Sequence, residues 1–585
     1  MRAIGEEQLP KRVLVVAAVA LVVAIFAAYV LRPETGAPAG APTSDEMADA
    51  LGAALMTHLK RGHVPGRSGE LLTVPLPHRY FVGEWDLTTL GTSTPWLASS
   101  HPNPWSYTAR VPIILYGPGY APQGMEVTEA TDIASLAPTY AGLLGLDGFE
   151  ADGEPLEAIL DQGSQEQKPP KVIFNFIMDG GGWNVLENYA NAWPTIKALG
   201  KGGTTYMNAT IGSAPSITGA LHATFGTGSY PLEHGMPGNQ LRGADGVPID
   251  AWLQDADPRY LEIPTVSELW DEETDNEATV ATVSYEGWHL GMIGHGAYRD
   301  GGDKDVAALW EAGENEWWIN DDFYELPGAL AETDLDRLES YEARLDERDG
   351  TVDGTWFDHT PEELKEETTR PGTPAFVKFT GDAIIDTMRE YKIGSDDVTD
   401  LMWVEMKMPD FAGHLWNMSG PEVGDVLAAT DAQLARIKKE LDTTVGGGNY
   451  LIAISADHGQ QPLPELNGGW RINTSEFERD VEARFGNVVE KVTTVDLFLD
   501  ADALSSEGVD PADIASYIGT YTLGENIPDG AAGADLVPEG RKDEPLFAGA
   551  FTTEYLQSLT PETIASFGDG DYSEADFTVA GENGQ

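Results

Sequence analysis

The stretch VIFNFIMDGGGW, residues 172–183, decides the fold. A short apolar run from Val172 to Met178 reads as a buried strand, and it releases Asp179 straight into three glycines. The pattern recurs nearly two hundred and eighty residues later, where YLIAIS (450–455) leads to Asp457-His458-Gly459. A third segment, LMWVEMK (401–407), alternates in polarity and leads to PDFAGH, with Asp410 and His414. Acidic and imidazole side chains at the carboxyl ends of strands are where an open α/β sheet assembles a site. Aspartate oxygen mixed with neutral imidazole suits zinc, and less often manganese or iron. The expectation is an α/β metallohydrolase.

Composition supports a large folded enzyme and excludes some partners. At 585 residues the chain can hold a large α/β core and a substantial insertion, and 41% apolar content with fifteen tryptophans excludes general disorder. Its 96 acids against 35 bases give a net charge of −61, spread along the chain. No basic stripe exists to neutralise phosphates, so nucleic acid is not expected as a partner. An anionic substrate has to be drawn in by local positive charge such as bound metal. There is no cysteine, hence no disulfide.

Residues 13–31, VLVVAAVALVVAIFAAYVL, are nineteen consecutive uncharged residues, enough for one transmembrane helix. Arg2, Lys11 and Arg12 precede them, which places residues 1–12 in the cytoplasm and the rest of the chain outside, anchored in the cell membrane. A cleaved signal peptide is the competing reading, although its apolar region runs only about 7–15 residues. A Pro/Gly/Ala linker follows at 32–45. Residues 46–162 are helical, then strand-like, then helical, and a polar linker at 163–170 joins them to a core at 171–240. Residues 241–395 are acidic and Trp-rich and read as an inserted cap; 396–460 continue the core, and 461–585 form an accessory segment with an acidic tail.

In APSITGALHATFGTGSYPLEHGMPGN (214–239), Pro215 precedes a helix expected to begin near Ser216 to Thr218. A hydroxyl there sits at the positive end of the helix dipole; an ordinary N-cap is the plainer reading of the segment alone. Taken with the three ligand motifs, the segment resembles the alkaline phosphatase superfamily, in particular its type I phosphodiesterase/nucleotide pyrophosphatase branch. The matching elements are Asp179-Gly180, Pro215-Ser216-Ile217-Thr218 with His222, Thr227-Gly228 through His234-Gly235, Asn239, Asp410 to His414, and Asp457-His458-Gly459. Gly219-Ala220 replaces the x-Pro often found there.

The resemblance implies a three-layer α/β/α sandwich of alkaline phosphatase type with an inserted cap. It makes Thr218 the nucleophile, with Ser216 as runner-up, and Asn239 a ligand of the phosphoryl oxygens. Two divalent metal ions are implied, zinc first and manganese or another divalent metal as alternatives. One would be held by Asp179, Asp457 and His458 with Thr218 bridging, the other by Asp410 and His414. The second set needs a histidine that the family carries near its carboxyl end, yet no histidine follows His458. Residues 91–162 resemble that missing final segment, with His101 at the ligand position, Pro102 for Gly and Thr108 for Asp. The chain is therefore expected to be circularly permuted. The GGG at 180–182 lacks any phosphate-loop context. His222 and His234 read as supporting or structural residues, while His289 and His295 are either structural or in contact with substrate.

The substrate class implied is a small phosphoryl ester, such as a nucleotide or a lipid head group. Phosphomonoesterases of the superfamily commonly carry Lys and Arg near the position of Tyr285-Glu286-Gly287. Their absence here tilts the reading toward diesters, with a phosphomonoesterase or an inactive membrane-anchored recognition protein of the same fold as alternatives. A sulfatase is not expected, since the chain has no cysteine and no match to the C/S-x-P-x-R motif of that class, and a mutase fits the external location poorly. The oligomeric state is not legible.

Overall fold

The computed structural model describes residues 36–83, 87, 97–160 and 168–572. The expected membrane helix at 13–31, the cytoplasmic residues before it, most of the 163–170 linker and the end of the acidic tail lie outside these. Among the described residues no helix is long and apolar enough to cross a membrane.

A ten-stranded mixed sheet forms the centre. Its strands are β1 (Ile113–Tyr116), β2 (Met125–Val127), β3 (Val172–Met178), β4 (Thr204–Tyr206), β5 (Val280–Val283), β6 (Asp305–Glu311), β7 (Glu316–Trp318), β8 (Tyr324–Glu325), β9 (Asp400–Met406) and β10 (Tyr450–Ser455). The order is β7-β6-β5-β9-β3-β10-β1-β4-β2, with β8 beside β6. Strands β6, β5, β9, β3 and β10 run parallel, whereas β1 is antiparallel to both its neighbours.

Strand β3 shows why the sequence reads as it does. Every one of its residues is buried, because both faces of a parallel sheet are covered. Phe174, Phe176 and Met178 enter one apolar cluster with the helices Pro374–Glu390 and Pro421–Leu441. Ile173 and Ile177 enter a second with Leu136–Leu144, Thr218–Thr227 and Val266–Glu273. Those two clusters make the three expected layers. Phe174→Ala would cost about 3–5 kcal/mol.

Two expected boundaries move. Residues 241–395, expected as an inserted cap, instead supply β5, β6, β7 and β8 to the central sheet and the helix Pro374–Glu390 to one of its faces. Their short apolar runs were masked by the surrounding tryptophans and acids. Residues 46–162 also divide. Leu71–Pro75 lies between Asp496–Leu499 and Phe547–Thr552 in a separate four-stranded sheet, and the helix Ser44–Gly62 packs there, while β1 joins the central sheet.

Candidate active site

Register gathers the site. Met178 lies opposite Met406 and Ile177 opposite Ser455, so β9, β3 and β10 end at the same edge. Asp179, Lys407 and Asp457 follow within two residues of those ends. The helix Met408–Trp416 starts there and presents Asp410 and His414 one turn apart. Gly180 has a positive φ of 68°, and a Cβ on it would meet the Asp410 backbone at 2.9 Å. A Cβ on Gly182 would meet Gly459 at 2.5 Å. The glycine run is thus a close approach between the ligand loops.

Asp179, Asp457 and His458 converge, all fully buried. His458 Nε2 lies 3.4 Å from Asp179 Oδ1 and 3.2 Å from Asp457 Oδ2, and none of these three atoms has a hydrogen-bond partner among the described residues. Buried polar atoms are almost always paired, so three unpaired donors of this kind fit a metal cradle. His101, Asp410 and His458 form an adjoining group: His101 Nε2 is 3.8 Å from Asp410 Oδ1, and the rings of His101 and His458 stack at 3.6 Å. His414 Nε2 lies 3.2 Å from Asp410 Oδ2. The structure therefore brings together the six acids and imidazoles predicted as ligands, with His458 touching both groups.

Each of these imidazoles is oriented from behind. Nδ1–H of His101 donates to the Ser216 carbonyl (2.7 Å), that of His414 to Ser99 (2.7 Å) and that of His458 to Gly459 (3.0 Å). This turns each Nε2 inward, the arrangement that metal-binding histidines use, although burial of His414 is outweighed by Asp410, which raises it above the usual histidine range. Burial, reinforced by His458, holds His101 well below the usual histidine range, so it is neutral. Burial lowers His458 as well. Burial opposes a charge on Asp410, but His414 and Lys407 outweigh it and hold the carboxyl well below its usual range. Asp457 is pushed well above that range by burial and by Asp179.

Thr218 opens the helix Thr218–Thr227, and with Asn239, His101, Asp410 and His414 it lines a cavity of about 540 Å³. Gly219 N–H donates to Asn239 Oδ1 at 2.9 Å, and a Cβ at 219 would come within 3.0 Å of that oxygen. Gly219 thus seats Asn239; the departure from the family pattern is Ala220 in place of Pro. Ser216 does not line the cavity; its buried hydroxyl donates to the carbonyls of His101 and Asn103.

Lys407 and Glu405 are not among the residues that the sequence singles out. Lys407 is 5% exposed, and its Nζ lies 2.8 Å from both Asp179 Oδ2 and Asp410 Oδ2. Glu405, buried beside it, is pushed well above the usual range by burial and by Asp179. Two charged residues in a wholly buried strand end were the available signal. His289 Nε2 lies 3.5 Å from Asp179 Oδ2 and 3.7 Å from Glu405 Oε1, and His222 packs in the same group behind Asp179. His234 and His295 are structural: the first pairs with Thr224, the second with Glu268 and the Leu261 carbonyl. Beside the catalytic cavity lies a second one of about 400 Å³, walled by Trp252, Trp288, Trp310 and Trp318. The two share Asp250, Glu286, Trp288 and Phe411.

Residues 174–505 match the type I phosphodiesterase/nucleotide pyrophosphatase family. The chain belongs to that family. It is a phosphoryl ester hydrolase of the alkaline phosphatase superfamily. Among relatives, alkaline phosphatase PafA of Elizabethkingia meningoseptica is 25% identical over 447 residues, 68% of this chain and 78% of its own. Alkaline phosphatase PhoV of Synechococcus elongatus is 26% identical over 334 residues, 50% of this chain and 60% of its own. The crystal structure of wild-type PafA superposes with a TM-score of 0.52 at 19% identity, covering 66% of this chain and 85% of that one, a likeness of fold.

Proposed function

We propose that the chain hydrolyses phosphodiesters, using Thr218 as nucleophile and two divalent metal ions, zinc foremost. The observation that carries this is the placement of Thr218 at a helix start in the cavity lined by His101, Asp410 and His414, with His222 Nδ1 2.9 Å from its carbonyl and 3.7 Å from Asp457 Oδ2. Asp179, Asp457 and His458 would hold one ion near Thr218, and His101, Asp410 and His414 the other. Such ions lower the pKa of a bound hydroxyl and neutralise charge on a departing oxygen. Thr218 Oγ1 bonds to phosphorus as the bond to the ester oxygen breaks, and the alcohol leaves with a proton. Water then cleaves the phospho-threonine. Asn239, fixed by Gly219 N–H, faces the non-reacting phosphoryl oxygens, where fixed dipoles act strongly in a buried site.

Two features of the walls favour a diester with an aromatic or base-bearing group. The tryptophan-walled cavity offers flat stacking surface next to the reaction centre. Tyr285, Glu286 and Gly287 bring no cation, and burial raises the Glu286 carboxyl to about 7. A dianionic monoester would meet that acid. The second reading, a phosphomonoesterase, rests on Lys407, the one Lys or Arg among the described residues lining the catalytic cavity. Hydrolysis of a bis-aryl phosphate against the matching mono-aryl phosphate decides between them. A diester preference abolished by Thr218→Ala is expected; a monoester preference abolished by Lys407→Met would replace it.

Two further readings belong here. His101 reaches the site from a segment ahead of Asp179, and β1 enters the sheet beside β10, which supports a circular permutation. The apolar stretch at 13–31 supports a single-pass anchor with the catalytic part outside the cytoplasm. Membrane fractionation with protease protection tests the latter, and release of the chain by salt alone would refute it.

A further inference from the structure

Away from the catalytic cavity, the helix Val266–Glu273 and the start of β6 face each other across a small acidic pocket. Asp271, Asp303 and Asp305 each offer a carboxylate oxygen there, all within 4.8 Å of one another. The enclosed space is about 10 Å³, room for one water or one ion. Asp271 and Asp305 are buried, at 4% and 6% exposure. The second, independent observation is the Asp271 side chain, which lines this pocket and whose buried Oδ1 has no hydrogen-bond partner among the described residues.

No Lys, Arg or His makes an ion pair with any of the three aspartates among the described residues. Arg299 lines the pocket, but its Nε pairs with Glu272 at 3.5 Å. Glu268 also lines it and is taken by His295 at 2.8 Å. Three carboxylates this close repel one another and are poorly solvated. Burial and the neighbouring carboxylates push Asp271 and Asp305 above the usual range, and a bound cation relieves such a cluster as protons do.

We infer that Asp271, Asp303 and Asp305 form a calcium site separate from the catalytic metals. The donors are all oxygen, which excludes the nitrogen and sulfur preference of zinc and suits a hard cation. Backbone turns at Gly296 and Gly302 border the pocket and leave it irregular, which calcium tolerates and the strict octahedron of magnesium does not. The ion would tie the 296–303 loop to the helix Val266–Glu273 and to β6. That loop follows directly on the turn Gly287–Met292, which carries Trp288 and His289 to the catalytic centre. The site thus braces one wall of the substrate cavity from outside.

The test uses the intact chain with its catalytic metals present, at about 1 M sodium chloride, where exposed charges are screened within about 3 Å. Calcium titration should show one saturable equivalent and raise Tm by a few degrees. Terbium in place of calcium should give luminescence sensitised through Trp270, the neighbour of Asp271. The Asp271→Asn/Asp305→Asn double variant should lose the equivalent, the Tm response and the luminescence, while keeping phosphoryl ester hydrolysis. Without calcium it should melt no lower than the parent, because like-charge repulsion is removed. Equal calcium binding by parent and variant overturns the site. So does a parent chain without saturable terbium luminescence, a result that does not depend on the variant folding.

Discussion

The ligand cluster around His458 and the pocket at Asp271 each gather three aspartates, and they are balanced in opposite ways. Asp179, Asp410 and Asp457 share their space with Lys407, His101, His414 and His458, so the cluster already contains a cation and neutral nitrogen donors. Asp271, Asp303 and Asp305 have oxygen alone. The difference teaches that carboxylate number does not define a site; the company the carboxylates keep sets which cation fits. In a chain of net charge −61, both places depend on positive charge supplied locally.

The largest expected effect breaks the comparison at its catalytic side. Thr218→Ala should lower turnover on the order of 10³-fold or more with folding intact, while Ser216→Ala keeps turnover. Retained activity in the first variant would make the cavity a binding site with no nucleophile. Next in size is His101→Ala, expected to lose one catalytic metal equivalent by elemental analysis while the calcium response at Asp271 stays unchanged. Loss of both would mean that the two clusters are not independent. Lys407→Met should then shift the diester-to-monoester ratio by roughly 10- to 100-fold, the worth of one contact to a charged group. An unchanged ratio would show that Lys407 serves only to balance Asp179 and Asp410.

The smallest effect sharpens the rule with a single buried acid. Asp496 borders the catalytic cavity at 8% exposure, and burial raises its carboxyl from 3.8 to about 7. The folded state keeps this proton where the unfolded chain releases it. Its contribution to stability is therefore full below about pH 4 and is lost as pH rises toward 7. Asp496→Asn should flatten that fall, melting higher than the parent at pH 8 and no higher at pH 4. Parallel melting curves across this range would show that Asp496 is charged in the fold.

Legibility differed by the range over which each feature is encoded. The strands β3, β9 and β10 were plain, because each is a short buried run ending at a turn with its own acid. The start of the nucleophile helix was readable from Pro215 and the residues after it. The cap was misread because β5 and β6 are brief apolar runs, 280–283 and 305–311, set among tryptophans and acids. Glu405 and Lys407 could have been flagged as charges at the end of a buried strand. His222 and His289 are singled out by the sequence only as supporting, structural or substrate-facing, since a histidine in a helix or turn carries no sign that it will face Asp179.

The sequence by itself determined the family, the reaction class and the identity of six acids and imidazoles that meet at the centre, because motifs and strand patterns are local. Tertiary structure decided how those residues are shared, with His458 touching both groups and Lys407 held between Asp179 and Asp410. It alone showed the tryptophan-walled cavity and the acidic pocket at Asp271. The physical reason is register: parallel pairing of β9, β3 and β10 aligns positions more than two hundred residues apart to within a few ångströms. No local pattern in the chain encodes such a distance.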